Sequence, residues 1–291
     1  MITADHGPAQ LRSVAEMLAA EAAAFVRRRR AEVFSGNGTV RPAAMVRAKS
    51  TPTDPVTVVD TEAERLMRDR LAELRAGDPI LGEEGGGVAD GAARPSGAVT
   101  WVLDPIDGTV NFVYGIPAYA VSVAAQIDGV SVAGAVADVV AGRVYSAGVG
   151  LGAHLIDETG TLDLRCSAVT DLSMALLGTG FGYCMRRRAV QAGLLAQMLP
   201  VVRDVRRIGS AALDLCMVAA GQLDAYYEHG LQIWDCAAGA LIAAEAGAQV
   251  LLPAVDDSAG GAGLVVAAAP GIADEFLSVL KRFNGLEPIR V

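Results

Sequence analysis

The sequence predicts an α/β protein in which helices pack on β-sheets. Strand-like and helix-like segments alternate through the second half of the chain, which is typical of layered α/β folds. In the first half, apolar runs rich in β-branched residues follow one long amphipathic helix. A glycine-rich break at residues 148–152 separates the halves. We therefore expect an N-terminal α+β lobe over residues 1–150, carrying most of the candidate site residues, and a C-terminal α/β lobe over residues 151–291.

Composition and charge restrict the class of protein. Of 291 residues, 52% are apolar and 20% are charged, as in a folded globular chain. The net charge of −9 argues against nucleic acid as the main partner, because binding a phosphate backbone requires clustered basic residues. Acidic residues interrupt the apolar runs at 211–220 and 236–250, and no signal peptide is visible, so we expect no membrane insertion. The four cysteines form no metal or redox motif, which favours a cytoplasmic protein with reduced thiols.

The first elements follow from apolar spacing and capping residues. Apolar residues at helical intervals predict an amphipathic helix over residues 11–33. A short β-branched strand at residues 56–59 comes next. Asp60 then opens a second helix, in which Thr61 and Glu64 have the spacing of a capping box.

The stretch over residues 101–112, W-V-L-D-P-I-D-G-T-V-N-F, is the most informative part of the chain. The apolar run at residues 99–103 predicts a buried strand, which Pro105 should end. Asp104 comes where the strand ends and Asp107 follows after a turn, so both carboxylates can converge on one point. Two carboxylates with a backbone carbonyl between them suit a hard cation such as Mg²⁺. On its own, the D-P-I-D-G segment is equally consistent with two consecutive turns.

Other acidic residues have both a functional and a structural interpretation. Glu83 and Glu84 follow Gly82 in a glycine-rich turn, which forms either an adaptable metal-ligand loop or a solvated acidic turn. Asp60 and Asp235 each lie at a predicted helix start, where an aspartate stabilises the helix without any catalytic role. The residues alone leave these alternatives open.

The remaining elements alternate as the fold class requires. Asp128-Gly129 lies between two β-rich runs, 119–127 and 130–140, and predicts a hairpin. Further strands are predicted at residues 143–147, 176–181 and 224–227, and helices at residues 189–199, 210–220, 234–246 and 271–283.

The 101–112 stretch resembles the first motif of the inositol monophosphatase family, W-x-x-D-P-x-D-G-T-x-N-F. Two other family segments occur in the expected order, Gly82-Glu83-Glu84 upstream and Trp234-Asp235-Cys236-Ala237-Ala238-Gly239 downstream. The similarity extends from about Leu11 to the C-terminus. It implies the layered αβαβα sandwich of the sugar phosphatase fold. It also implies hydrolysis of a phosphate monoester by a metal-activated water.

The resemblance further implies roles for individual residues. The implied metal ligands are Glu83, Asp104, the Ile106 carbonyl, Asp107 and Asp235. The implied catalytic residues are Thr109, Asp60, which orients Thr109, and Glu83. The implied substrate contacts are Asp107, Gly108, Thr109, Gly209, Ser210, Ala211, Glu228 and Asp235. Lys49 matches a lysine near the metals, and Glu84 is a neighbour without an assigned role.

The implied function is Mg²⁺-dependent hydrolysis of myo-inositol 1-phosphate with two to three bound ions. Lithium sensitivity and a homodimer are also implied by the family. Glu228, in the segment Y-Y-E-H-G, favours an inositol or a similar polyol. Two alternatives stay open. In the first, the substrate is a nucleotide 3′-phosphate, fructose 1,6-bisphosphate or histidinol phosphate. In the second, the chain is a non-catalytic regulatory binding protein. The presence of every candidate ligand speaks against the second alternative.

Overall fold

Two large β-sheets and the helices packed on them form the part of the chain that the structure describes. The structure is a computed structural model, which describes residues 7–34, 46–49, 55–87, 97–253 and 263–290. Its α-helices are α1 (Pro8–Phe34), α2 (Val58–Leu74), α3 (Thr109–Tyr114), α4 (Met185–Met198), α5 (Ala211–Ala219), α6 (Ile233–Glu245) and α7 (Ala273–Arg282). Among the described residues, no helix has both the length and the apolar character needed to cross a bilayer.

The first sheet has seven strands in sequence order. They are β3 (Ile80–Gly82), β4 (Val99–Asp107), β5 (Ala120–Ile127), β6 (Val130–Asp138), β7 (Arg143–Gly148), β8 (Ala153–Asp157) and β9 (Gly160–Asp163). Strands β3 and β4 are parallel, and each later neighbour is antiparallel. Asp128 and Gly129, with φ of 51° and 82°, close the β5–β6 turn, which confirms the predicted hairpin.

The second sheet has five strands in the order β11-β10-β12-β14-β13. They are β10 (Leu176–Thr179), β11 (Asp204–Arg206), β12 (Ala225–His229), β13 (Gln249–Leu251) and β14 (Leu264–Ala268). Strand β10 is parallel to β11 and β12, whereas β14 is antiparallel to β12 and β13. A separate two-stranded sheet joins β1 (Val46–Ala48) and β2 (Pro55–Thr57).

Apolar clusters fill the interfaces between five layers. Trp101 of the first sheet packs among residues of α1 and α2. Helices α5 and α6 lie between the sheets: Ile242 packs against the first sheet, and Leu215 packs against the second. Phe276 of α7 packs with residues of α4 on the outer face of the second sheet. Because both faces of each sheet are covered, the order of layers is αβαβα, which confirms the predicted sandwich.

The start of α2 differs from the prediction. The helix begins at Val58, and its N-cap is Thr57. The capping box consists of Thr57 and Asp60, since the Asp60 carboxylate accepts a hydrogen bond from the Thr57 backbone N–H at 3.0 Å. The prediction of a box formed by Thr61 and Glu64 was therefore wrong. The β-branched residues before Asp60 suggest a longer strand, but the side-chain cap determines where the helix begins.

The end of β4 also differs from the prediction. Pro105 does not end the strand, which continues to Asp107. The pairing with β5 instead shifts register between Asp104 and Asp107. A proline has no N–H to give to the ladder, and an irregularity of this kind accommodates it. The irregular part of the strand therefore carries both aspartates.

The division into two lobes near residue 150 stays a prediction. The seven-stranded sheet continues past this point through β8 and β9.

Candidate active site

A cavity of about 490 Å³ collects residues from both halves of the chain. We call its four clustered carboxylates, Glu83, Asp104, Asp107 and Asp235, the acidic wall. We call the segments 181–184 and 228–232, which follow β10 and surround the end of β12, the loop wall. Lys49, Gly108, Thr109, Gly209 and Ala211 line the same cavity.

Three aspartates of the acidic wall converge although they lie far apart in sequence. Asp104, Asp107 and Asp235 each offer a carboxylate oxygen, and these oxygens all lie within 4.8 Å of one another. Asp104 and Asp107 come from the irregular end of β4, and Asp235 from the first turn of α6.

Main-chain and hydroxyl donors hold each of these carboxylates. The backbone N–H of Ile106 donates to Asp104 at 3.0 Å, and that of Gln232 donates to Asp235 at 2.7 Å. Asp107 accepts two bonds from the start of α5, from the Ser210 hydroxyl at 2.6 Å and the Ala212 N–H at 2.7 Å. These bonds fix the carboxylates before any ligand binds.

Burial raises the pKa values of the acidic wall. Burial and the charges of Glu83, Asp107 and Asp235 raise the pKa of Asp104 well above its ordinary value. Burial and the charges of Asp107, Glu83 and Glu228 also raise the pKa of Asp235. The pKa of Asp107 rises to about 6 through burial, and the hydrogen bonds from α5 oppose this rise. Ionising all of these carboxylates together is therefore unfavourable unless positive charge is added beside them.

This donor set fits a hard divalent cation. The three converging groups of the described residues are all carboxylates, with no thiol or imidazole among them. Hard cations prefer oxygen ligands, and two-metal sites hold their ions about 3.5–4 Å apart. Such ions would supply the positive charge that lets the whole acidic wall ionise.

Glu83 reaches the acidic wall from the turn after β3. Its backbone N–H donates to the Leu103 carbonyl of β4 at 3.2 Å, next to Asp104. Lys49 pairs with Glu83 at 2.7 Å and also with Glu84. Burial disfavours the charged form of Lys49, but the attraction and hydrogen bonds of both glutamates outweigh it and raise its pKa. Glu84 therefore contacts the lysine that faces Glu83.

Glu64 holds this turn in place, a role that the sequence did not reveal. Its buried carboxylate accepts the backbone N–H groups of Glu84 at 2.7 Å and Gly85 at 2.8 Å. Arg68 donates to the same carboxylate at 2.8 Å. A Cβ added at Gly82 would lie 2.5 Å from the Glu64 carboxylate, so a larger residue there would displace Glu64 from these bonds. The spacing to Thr61 suggested a helix cap, and only the fold brings Glu64 to the Glu83 turn.

Thr109 and Asp60 form a buried pair beside the acidic wall. The Thr109 hydroxyl lies 3.2 Å from Asp60 Oδ1 and 3.0 Å from the Ile106 carbonyl. The other Asp60 oxygen accepts from the hydroxyl and the backbone of Thr57. Burial raises the pKa of Asp60 to about 7. The cap of α2 therefore fixes the carboxylate that contacts Thr109.

Two glycines allow close backbone contact between β4 and the start of α5. Gly108 has φ of 94°, and a Cβ there would lie 3.0 Å from the carbonyl oxygens of Ala118 and Gly209. Gly209 has φ of 96°. The Ser210 side chain caps α5 and donates to Asp107. Of the segment 209–211, Gly209 and Ala211 line the cavity. Other residues would strain both glycine positions.

Glu228 belongs to the loop wall and lies beside buried hydroxyl and backbone groups. The Tyr226 hydroxyl donates to Glu228 Oε2 at 2.6 Å. Burial raises the pKa of Glu228 to about 7. A Cβ at Gly180 would overlap the Glu228 carboxylate, so glycine makes room for it.

Gln191, which the sequence also did not reveal, joins the two segments of the loop wall. Its buried side chain lies on α4. The Gln191 carbonyl accepts from the Gly182 N–H at 3.0 Å, and its amide donates to the His229 carbonyl at 3.0 Å. One amide thus connects the segment after β10 to the end of β12. No motif signals this contact, because a glutamine on a helix is usually solvated.

Comparison with known proteins agrees with this geometry. The chain matches the sequence model of the inositol monophosphatase family over residues 8–283. It is 76% identical over 289 residues to the inositol-1-monophosphatase of Mycobacterium leprae, covering 99% of each chain. It is 74% identical over 290 residues to the inositol-1-monophosphatase SuhB of Mycobacterium tuberculosis, again covering 99% of each. The solved structure of Mycobacterium tuberculosis SuhB superposes with a TM-score of 0.82 at 68% identity, covering 97% of this chain and 100% of that one.

The five-layer sandwich and the similarity to these relatives identify the chain as a phosphatase. The chain belongs to the inositol monophosphatase family. The alternative of a non-catalytic regulatory protein is therefore set aside in favour of an enzyme.

Proposed function

We propose that the protein hydrolyses a phosphate monoester in a Mg²⁺-dependent reaction, with myo-inositol 1-phosphate as the preferred substrate. The convergence of three aspartates within 4.8 Å in a cavity that also contains Glu83 carries this proposal. The name of the Mycobacterium leprae relative supports the choice of an inositol phosphate. Glu228 supports a polyol, because its carboxylate accepts hydroxyl donors.

The acidic wall would hold the ions. We assign Glu83, Asp104 and the Ile106 carbonyl to one ion, and Asp104, Asp107 and Asp235 to a second. A third, weaker ion would share Glu83. When bound, Mg²⁺ supplies Lewis acidity that activates water and stabilises the oxygen of the leaving group.

The chain's own groups would orient the reactants. The Thr109 hydroxyl donates to Asp60, which leaves its oxygen lone pairs to accept a hydrogen bond from the attacking water. Asp60 attracts the hydroxyl proton of Thr109, and this makes the Thr109 oxygen a better acceptor for a proton from that water. The backbone N–H groups of Gly108 and Thr109 would hold phosphate oxygens. Glu228, Gly209 and Ala211 would contact the polyol, and no side chain need form a covalent intermediate.

Finer properties follow from family membership and are part of the same proposal. They are inhibition by lithium, a homodimer, a cytoplasmic location and two to three ions per active site. A nucleotide 3′-phosphate, fructose 1,6-bisphosphate and histidinol phosphate stay as alternative substrates.

Phosphate release tests the proposal. The full chain is assayed with and without Mg²⁺ on myo-inositol 1-phosphate and the three alternative substrates. We expect activity to vanish after exhaustive chelation and to return with Mg²⁺, with the highest kcat/KM on the inositol ester. Full activity after chelation would refute the metal-dependent mechanism. A higher kcat/KM on another ester would refute only the substrate assignment, and lithium resistance only that family property.

A further inference from the structure

Tyr226 does not line the cavity, but its hydroxyl contacts Glu228, which does. The two residues are two positions apart on β12, so both side chains leave the same face of the second sheet. This face packs on α5 and α6, and the Tyr226 ring is fully buried there among apolar residues such as Leu215 and Ala240. A buried tyrosine hydroxyl usually has a hydrogen-bond partner, and here the partner is Glu228.

Tight packing fixes the Tyr226 ring. A Cβ added at Gly178, the β10 residue paired with Tyr226, would lie 3.2 Å from Cδ2 of the ring. The same Cβ would lie 3.1 Å from Oδ1 of Asp214, a buried residue of α5. The ring therefore occupies a narrow space between the second sheet and α5, where a change of rotamer would displace its neighbours. The hydroxyl is thus held at a fixed point.

The two oxygens of the Glu228 carboxylate have different surroundings. Oε2 accepts the hydrogen bond from Tyr226 at 2.6 Å, whereas Oε1 accepts no hydrogen bond from any described residue. A Cβ at Gly180 would overlap the carboxylate, which therefore lies directly against the Gly180 backbone. One oxygen is thus bound to the protein, and the other is free to accept a donor from a ligand in the cavity.

We propose that Tyr226 is a positioning residue, through which Glu228 selects esters whose alcohol part carries further hydroxyl groups. This inference rests on the proposed function and adds a residue that does not touch the substrate. A carboxylate that is already held in place accepts a hydrogen bond without losing the freedom of its own side chain. Without the Tyr226 hydroxyl, Glu228 keeps its charge but must be ordered each time that a polyol binds.

Two monoesters that differ only in their ring hydroxyls test the role of Tyr226. Phosphate release from myo-inositol 1-phosphate and from cyclohexyl phosphate, which has the same ring without hydroxyls, is measured with Mg²⁺ at pH 8. At this pH most of Glu228 is ionised, although burial raises its pKa to about 7. The readout is the ratio of kcat/KM for the inositol ester to that for the cyclohexyl ester.

We expect Tyr226→Phe to lower this ratio about fivefold, because ordering an unheld side chain weakens binding by roughly that factor. The change should come from a higher KM for the inositol ester, with kcat for that ester and both constants for cyclohexyl phosphate nearly unchanged. If cyclohexyl phosphate is not hydrolysed, KM for the inositol ester is compared alone.

Tyr227→Phe is the matched control. Tyr227 is the next residue of β12 and is also buried, but its ring packs against Phe276 on the outer face of the second sheet. The substitution removes the same hydroxyl group from the same strand. We expect the ratio to stay within about twofold of the wild type, since successive side chains of a strand face opposite sides of the sheet. Thermal denaturation shows whether each variant is folded.

A Glu228→Ala background shows whether Tyr226 acts through Glu228. If it does, adding Tyr226→Phe to Glu228→Ala changes the ratio by less than about twofold, because the carboxylate that the hydroxyl holds is gone. A purely structural role for Tyr226 predicts instead that Tyr226→Phe lowers kcat/KM for both esters in either background.

The same ratio in the wild type and Tyr226→Phe would overturn the inference, as would an equal fall in Tyr227→Phe. If the wild type hydrolyses neither ester, the proposed function fails instead. Calorimetric titration with myo-inositol 1-phosphate and Mg²⁺ then decides the inference. An affinity about fivefold weaker in Tyr226→Phe than in the wild type and Tyr227→Phe would support it. Equal affinities, or no binding by the wild type, would refute it.

Discussion

The two walls of the cavity are built in different ways. The acidic wall consists of carboxylates at strand and helix ends. Its three aspartates each accept bonds from main-chain or hydroxyl donors, as Asp107 does from Ser210, and Glu83 pairs with Lys49. The loop wall consists of two loop segments that each contain one glycine, Gly182 and Gly230, and Gln191 joins the two segments. Fixed side chains at strand and helix ends suit a reaction that tolerates little displacement. Loops held by few contacts suit substrate selection, which differs among relatives of one fold.

Replacing Asp104 tests the acidic wall with the largest expected effect. Asp104 is the one side chain that we assign to both principal ions. Asp104→Asn keeps an oxygen for the Ile106 N–H but removes the charge. Losing one electrostatic group typically costs about 10²–10³-fold in rate, so a shared ligand should cost on the order of 10³-fold or more. Phosphate release at saturating Mg²⁺ measures this.

Glu84→Gln is the comparison for Asp104→Asn. Glu84 contacts Lys49 but is not assigned to an ion. We expect a milder loss, with circular dichroism unchanged in both variants. Near-wild-type turnover of Asp104→Asn together with an inactive Glu84→Gln would mean that the acidic wall is misplaced.

Replacing Glu64 tests whether the acidic wall depends on its support. In Glu64→Gln, an amide group would face one of the N–H donors of Glu84 and Gly85, so the Glu83 turn would loosen. Altering a group that orients a metal ligand typically costs about 10–100-fold in affinity or activity. We expect kcat/KM to fall about tenfold and the Mg²⁺ concentration for half-maximal activity to rise.

Glu62→Gln, on the same helix, is the control for Glu64. Glu62 pairs with Arg29 at the surface, away from the Glu83 turn. We expect the Glu62→Gln variant to have the same Mg²⁺ requirement as the wild type. If Glu64→Gln lowers only thermal stability and leaves the Mg²⁺ dependence as in the wild type, then Glu64 does not position Glu83.

Replacing Gln191 tests the loop wall and should give a smaller effect of a different kind. Gln191→Glu removes the donor to the His229 carbonyl but keeps the acceptor for the Gly182 N–H. A lost hydrogen bond is typically worth about 0.5–1.5 kcal/mol, so we expect KM to rise about fivefold while kcat changes less than about twofold.

Gln197→Glu is the control for Gln191, because Gln197 is exposed on the same helix and contacts only the Gly193 carbonyl in the described hydrogen bonds. A fall in kcat with an unchanged KM in Gln191→Glu would remove the distinction between the two walls.

The smallest expected effect is a pH dependence of stability from Glu228. Burial, with a contribution from the charge of Asp107, raises the pKa of Glu228 to about 7, although Tyr226 and Arg207 act to lower it. A raised carboxyl pKa means that the folded state binds the proton more tightly than the unfolded state. The stabilisation is therefore complete below the unfolded value of 4.5 and is lost as pH rises through about 7.

Melting temperatures of the chelated protein at pH 5 and pH 8 measure this contribution. We expect the fall to be smaller in Glu228→Gln by about 3 °C or more, because 1 kcal/mol shifts Tm by about 2–4 °C in a chain of this size. An equal fall in both proteins would show that Glu228 is ionised throughout. Other carboxyls titrate in both proteins, so only the difference is assigned to Glu228.

The sequence predicted the layers and the acidic residues because both are encoded locally. The strand before Asp104, the Asp128-Gly129 turn and the helix that carries Asp235 are each short patterns. Glu64 and Gln191 were not predicted, because each acts on segments that only the fold brings near. Strand β14 was also missed, since its continuous apolar run has no alternation to distinguish it from a helix. Local spacing assigned the cap of α2 to Thr61 instead of Thr57, because two candidate caps compete there.

The bond from Ser210 to Asp107 spans 103 residues of sequence. A nascent chain that has just completed the first sheet therefore has two aspartates in place but lacks the α5 donors and Asp235. At a synthesis rate of about 5–20 residues per second, the missing part follows roughly 5–20 s later. During that interval the ribosome-bound half-chain has an incomplete set of the ligands that we propose, so we expect catalysis to begin only once the second half has folded against the first.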